Sequence, residues 1–161
     1  MTPAPLSYTL CFLTRADSVL LLHRRRPPNQ GLWNGVGGRL EADERPLTGC
    51  LREVREETGY RLATARFAGL LTWSGFEIAD GGLYLFTAEA PAGEPASTPE
   101  GELRWWPQRQ AVTSPLVVSN LHFVLPHLLN QTPPAVYHMV YAAGQLVEKR
   151  LAPLPDDFGA V

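Results

Sequence analysis

The sequence predicts an α/β fold, a mixed β-sheet sandwiched between one helix on each face. Three observations predict it. Leu47, Leu51, Val54 and Thr58 recur at spacings of three and four and stop at Gly59, the pattern of an amphipathic helix. Leu121, Val124, Leu125, Leu128 and Leu129 form a second helical stripe over residues 119–130. Around both helices run short aromatic and β-branched stretches separated by turn residues. The 161 residues suit one hydrophobic core, and 45% hydrophobic content with a net charge of −2 argues against a nucleic-acid polymer as partner. No run of apolar residues is long enough to span a membrane, and no charged-then-apolar leader opens the chain. A cytoplasmic protein with buried thiols at Cys11 and Cys50 is the expectation.

Taken in order, residues 1–5 read as a loose leader. Residues 6–13 and 19–23 read as strands of a hairpin turning at 16–18. Arg24, Arg25 and Arg26 follow the second strand, and Pro27–Gly31 reads as a loop. Gly35, Val36, Gly37 and Gly38 read as a tight loop whose bare backbone can approach a metal or phosphate. Pro46 suits the first helical turn and Gly59 the C′ stop, while Arg45 is a poor N-cap. Residues 61–68 and 70–73 read as strands interrupted near Gly69, and residues 83–90 as another after the Asp80-Gly81-Gly82 turn. Residues 91–99 read as an exposed loop and 103–106 as a short strand. Pro126 predicts a kink or early break in the second helix. Residues 136–141 and 146–150 read as a hairpin that either extends the sheet or makes a dimer contact, followed by a tail over 152–161.

The first helix carries more charge than folding needs. Glu53, Glu56 and Glu57 fall at i, i+3 and i+4, on one face, where like charges repel by roughly 0.2–0.5 kcal/mol per pair. Glu56 and Glu57 also sit in the last turn, the end of the helix dipole that disfavours negative charge. Three convergent carboxylates there make sense around a divalent cation, and oxygen-only ligands point to Mg²⁺ or Mn²⁺ rather than zinc.

These residues belong to a longer pattern. The Nudix box is G-x5-E-x7-R-E-U-x-E-E-x-G-U, with U a bulky apolar residue. The chain places Gly38, Glu44, Arg52, Glu53, Val54, Glu56, Glu57 and Gly59 at those positions, with aromatic Tyr60 where an aliphatic residue is usual. The chain thus resembles the Nudix hydrolases. The resemblance implies a Nudix fold over about residues 6–132, with residues 133–161 as a C-terminal hairpin extension and tail. It implies in-line attack of water on a nucleoside diphosphate linked to another moiety, with Mg²⁺ as cofactor and Mn²⁺ as a substitute. Glu53, Glu56 and Glu57 would hold metal, with the Gly38 carbonyl as a further ligand. Glu53 or Glu56 would serve as general base, and Glu44 with Arg52 would tie loop to helix. Glu100 is the favoured additional acidic ligand and Glu102 the alternative.

Residues 31–38, GLWNGVGG, are similar to the MutT-related branch acting on 8-oxo-dGTP. There Asn34 would read the base edge, since an amide both donates and accepts. Trp105 or Trp106 would stack on the base, with a buried strand tryptophan as the plain alternative. Asn120 resembles a second base reader, against a plain helix-start asparagine. Arg24 and Arg26 would grip phosphates, against solvated strand-end charges. A small nucleotide is the expected partner of a monomer or homodimer. Other nucleoside triphosphates, nucleotide sugars and dinucleoside polyphosphates stand as alternative substrates, and a nucleotide sensor without turnover stands as a different class.

Overall fold

A computed structural model describes residues 5–96 and 98–161; the leader expected over residues 1–5 therefore lies, except for Pro5, outside the described residues. The chain order is β1 (Leu6–Arg15), β2 (Ser18–Arg24), β3 (Trp33–Asn34), β4 (Val36–Arg39), α1 (Pro46–Thr58), β5 (Arg66–Ser74), β6 (Gly81–Glu89), β7 (Gly101–Pro107), α2 (Gln108–Ala111), α3 (Leu121–Leu129), β8 (Ala135–Ala142) and β9 (Gln145–Pro153). The sheet runs β3-β2-β1-β6-β5-β8-β9, with β4 added to β1 and β7 to β2. It is mixed: β1 pairs parallel to β6 and β5 parallel to β8, the other pairs being antiparallel.

Side-chain alternation along the central strands makes two cores. Leu10 and Phe12 of β1, with Val19 and Leu21 of β2, pack with Leu121, Val124, Leu125 and Leu128 of α3. Cys11 and Leu13, with Leu20 and Leu22, pack with Cys50 and Val54 of α1. The helices therefore lie on opposite faces, and the expected sandwich is present. Both cysteines are buried and free.

The β1–β2 hairpin is real but short. Only Thr14 with Val19 and Arg15 with Ser18 pair, after which the strands fork, β1 taking β4 and β2 taking β7. That fork opens one end of the sheet beside α1. The expected tight loop at Gly35–Gly38 is instead largely strand: Val36–Arg39 lies in register with β1, Gly37 opposite Leu10 and Gly38 opposite Thr9. The glycines are needed for closeness rather than turning. A Cβ at Gly37 would collide with the Thr9 carbonyl, and one at Gly38 would stand 2.6 Å from the Glu53 carboxyl. The strand expected from Arg61 begins only at Arg66, since residues 61–65 run as an irregular connection after the left-handed Gly59. Gly69 marks a register shift inside one continuous β5 at φ 139°, and a Cβ there would meet the Ala135 carbonyl of β8.

The C-terminal hairpin extends the sheet: β8 pairs with β5 from Gly69–Ala135 to Ser74–Val140, and β9 forms the outer edge. The last residues are not a free tail. Phe158 stacks on Phe67 with ring centroids 5.5 Å apart, and Val161 packs against the α1-side core. Pro126 sits inside α3 without ending it, and the helix closes at Leu129.

Candidate active site

The burial of Cys50 and Val54 pins α1, and burying an aliphatic side chain of this size contributes about 1.5–3 kcal/mol. Its C-terminus is closed by the Gly59 N–H donating to the Arg55 carbonyl, with Gly59 at φ 78°. Thr58 Oγ1 donates to the Val54 carbonyl and accepts from the Tyr60 N–H. Arg45 at the N-cap makes no side-chain cap bond.

Arg52 organises the acidic surface. Its Nε and Nη2 donate to the two oxygens of Glu44 at 2.7 and 2.8 Å, a bidentate pair, and Nη2 also reaches the Arg39 carbonyl at 3.2 Å. Its Nη1 donates to Glu53 at 3.0 Å and to Glu56 at 3.2 Å. One guanidinium thus ties the loop before the helix to β4 and orients two helix carboxylates. The Arg52 bonds hold the Glu44 carboxyl down at about 2.

Glu57 is the opposite case. It is 5% exposed, and its carboxylate accepts one long bond, 3.4 Å, from the Gly37 N–H. Burial, reinforced by the charges of Glu53 and Glu100, pushes its pKa up to about 8. Glu53 is also raised, chiefly by burial, although Arg52 opposes the shift. Glu56 is half-exposed.

These carboxylates stand at one end of a cleft of about 610 Å³. Glu53, Glu56, Glu57 and Glu100 line that end together with Gly37 and Gly38, and Arg24, Arg25, Arg26 and Arg39 line its rim. The far end is apolar, formed by Leu71, Trp73, Phe76, Ile78 and Leu83 of the α3-side core with Tyr141 and its partner Asn120, while Asn34 lines the cleft from β3, opposite Leu22. Asn34 Oδ1 accepts the Gly35 N–H at 2.8 Å, which leaves its Nδ2 to donate into the cleft. Arg24 donates to the carbonyls of Pro28 and Pro27, and Arg25 to that of Pro99, so both guanidinium groups are partly committed to holding the rim.

Several expectations need correction. Trp105 and Trp106 do not line the cleft. Trp106 is buried with its edge against Trp33, and Trp105 lies under the Arg15 guanidinium, because β7 pairs with the outer side of β2. Glu102 pairs with Arg104 at 3.1 Å and also lies outside the cleft, whereas Glu100 lines it. The helix glutamates share a face, but among the described residues no three metal-ligating side chains converge on one point. Arg52 draws one oxygen each of Glu53 and Glu56 toward itself. Asn120 does not cap α3; its side chain turns to Tyr141 instead. Sequence reasoning missed the apolar end altogether. Trp73, Phe76 and Tyr141 are separated along the chain and meet only through the parallel β5–β8 pairing, which no local pattern announces.

The donor set fits a hard divalent cation. Three carboxylates on one helix and Glu100 across the cleft are all oxygen donors, and the buried Glu57 has no cationic group among its hydrogen-bond partners.

The geometry agrees with what comparison with known proteins finds. A NUDIX domain model matches residues 5–128. The chain belongs to the Nudix family. Among curated proteins, an uncharacterized Nudix hydrolase, YvcI, of Bacillus subtilis is 31% identical over 124 residues, 72% of this chain and 75% of the relative. The oxidized purine nucleoside triphosphate hydrolase of Mus musculus is 29% identical over 102 residues, 62% of this chain and 64% of the relative, so the match spans just under two thirds of that relative's length. The crystal structure of a MutT protein from Bacillus halodurans superposes with TM-score 0.78 at 28% identity, covering 92% of this chain and 98% of that one. As a Nudix hydrolase the chain acts on phosphorus-containing anhydrides, and enzymes of this family generally use divalent metal ions. Among the described residues, no helix is long and apolar enough to cross a membrane.

Proposed function

We propose that this Nudix hydrolase is a Mg²⁺-dependent pyrophosphohydrolase of purine nucleoside triphosphates, with oxidised purines such as 8-oxo-dGTP as preferred substrates. One observation carries the reading: a single cleft joins an acidic, arginine-rimmed end to an apolar end, with Asn34 and Asn120 among its polar lining. A triphosphate needs the first and a nucleobase the second. The similarity to the mouse oxidized purine nucleoside triphosphate hydrolase supports the same substrate class.

Glu53, Glu56 and Glu57 would hold the cation, with the Gly38 carbonyl and Glu100 as further ligands. Mg²⁺ is held by few protein carboxylates in such sites, so these residues would not need to form a closed cage before substrate arrives. A cation held there would supply neutralisation of phosphate oxygens and a lowered pKa for the attacking water. Glu56, half-exposed and held by one bond from Arg52, keeps an oxygen free to take the water's proton, with Glu53 as the alternative base. Arg24 and Arg26 meet the phosphates at the rim, and Arg52 with Glu44 keeps the helix and β4 in place. Asn34 and Asn120 read the base. Water attacks phosphorus, the phosphoanhydride bond breaks, and nucleoside monophosphate and pyrophosphate leave.

The test is pyrophosphate release with Mg²⁺ across a nucleotide panel, using the wild type and Glu56→Gln. The expected result is preference for 8-oxo-dGTP over dGTP by more than tenfold and loss of release in the variant. Equal rates on both nucleotides would remove the oxidised-base assignment; tight binding without release from any nucleotide would make the protein a sensor.

A further inference from the structure

Tyr141 belongs to β8, beyond the residues that the family model matches, yet it lines the apolar end of the cleft. Asn120 stands beside it, 9% exposed, and donates from Nδ2 to the Tyr141 hydroxyl at 3.0 Å. Asn120 Oδ1 is fully buried and has no hydrogen-bond partner. A buried acceptor without a donor is uncommon in a folded protein and asks for an explanation. At the start of α3 an asparagine would ordinarily cap the helix, but here the backbone is already helical, at φ −65° and ψ −23°, and the side chain makes no cap bond. The tyrosine has taken the amide away from that role.

Tyr141 is itself held firmly. Its ring lies 4.6 Å from that of Phe76, another wall of the cleft. Gly75, at φ +74°, runs so close to the Tyr141 carbonyl that a Cβ there would collide with it. The segment carrying Phe76 and Ile78 is thus fitted onto the tyrosine's backbone, and the Trp73 indole N–H donates to the Ala79 carbonyl at 3.0 Å to close it.

We propose that Tyr141 is a positioning residue for nucleobase recognition, whose hydroxyl fixes the Asn120 side chain in the wall of the cleft. This rests on the nucleotide reading given above. Across the cleft the Gly35 N–H fixes Asn34, with Nδ2 free to donate. Through the Tyr141–Asn120 bond the C-terminal hairpin becomes part of the specificity apparatus.

The test is steady-state kinetics on Tyr141→Phe, Asn120→Ala and the double variant, with Mg²⁺ and the best purine triphosphate. Phenylalanine keeps the ring and its contact with Phe76. Tyr141→Phe is expected to raise KM about five- to tenfold with kcat within twofold of wild type. Asn120→Ala is expected to match that loss, and the double variant to add little to it. Unchanged KM in Tyr141→Phe, a fall confined to kcat, or losses that multiply in the double variant would overturn the assignment. If the wild type hydrolyses no nucleotide, the functional reading falls separately, and equilibrium binding of dGMP and dAMP decides the positioning. Binding weakened five- to tenfold by Tyr141→Phe, with no further loss in the double variant, supports it. Binding equal to wild type, or no binding by the wild type, overturns it.

Discussion

Glu44 and Glu57 bracket α1, and their surroundings could hardly differ more. Glu44, just before the helix, is met by both prongs of Arg52 and by the Glu41 N–H, and its pKa falls to about 2. Glu57, in the last turn, has one weak donor and two carboxylate neighbours that raise its pKa, and it rises to about 8. Both carboxylates are largely removed from water. The difference teaches that the box contains two kinds of glutamate, one whose charge the protein completes and one whose charge it leaves almost unmatched.

The sharpest way to break this division is to remove charge on the incomplete side. Glu56→Gln and Glu53→Gln are each expected to lower kcat about 10²–10⁴-fold, read as pyrophosphate release under saturating Mg²⁺. Thermal stability should stay near wild type; a comparable fall in Tm would place them with Glu44.

Glu57 supplies the next largest effect, in the opposite direction for the metal-free protein. Its folded pKa lies above its unfolded value, so its favourable contribution is complete below about pH 4.5 and is lost as pH rises through about 8. Metal-free wild type should therefore lose stability across that window, by up to about 1.4 kcal/mol per pH unit, and Glu57→Gln should flatten the slope. Urea titrations at pH 5, 6, 7 and 8 with chelator present measure it, and identical slopes in the two proteins would contradict the environment described for Glu57. The same proton competes with metal, so Mn²⁺ affinity by calorimetry should fall up to tenfold per pH unit below about 8.

Glu44→Gln should cost about 1–3 kcal/mol of stability, by loss of a charge-assisted bidentate pair, with metal affinity nearly intact. Its pH signature runs the other way. The Glu44 contribution is present above about pH 4.5 and disappears as pH falls through about 2, so the wild type should lose its advantage over the variant in acid. The smallest effect separates the two loop glutamates. Glu100→Gln should weaken Mn²⁺ binding about three- to tenfold, or ~1 kcal/mol, while Glu102→Gln, which removes only an exposed pair with Arg104, should leave it unchanged.

The span of the helix was legible because its determinants are local, although Leu51 of the expected apolar stripe stays half-buried and Glu57 is buried instead. The spacing of Cys50 and Val54, Pro46 at the start and Gly59 at the stop decide it within one stretch, and the box glutamates come with it. The sandwich class and the final hairpin followed from periodicity for the same reason. What stayed illegible depends on long-range pairing. The glycines of β4 look like a turn until β1 is laid beside them, when a side chain at Gly37 proves impossible. Trp105 and Trp106 look like a stacking platform until β7 is seen on the far side of β2. Tyr141 is one of several alternating strand residues, and only the union of β8 with β5 brings it to Asn120.

That union has a consequence during synthesis. The chain emerges N-terminus first, so β1, β4 and α1 can assemble their carboxylates while β8 is still inside the ribosome. Until β8 is released, the cleft lacks the wall that Tyr141 and its contact with Phe76 provide.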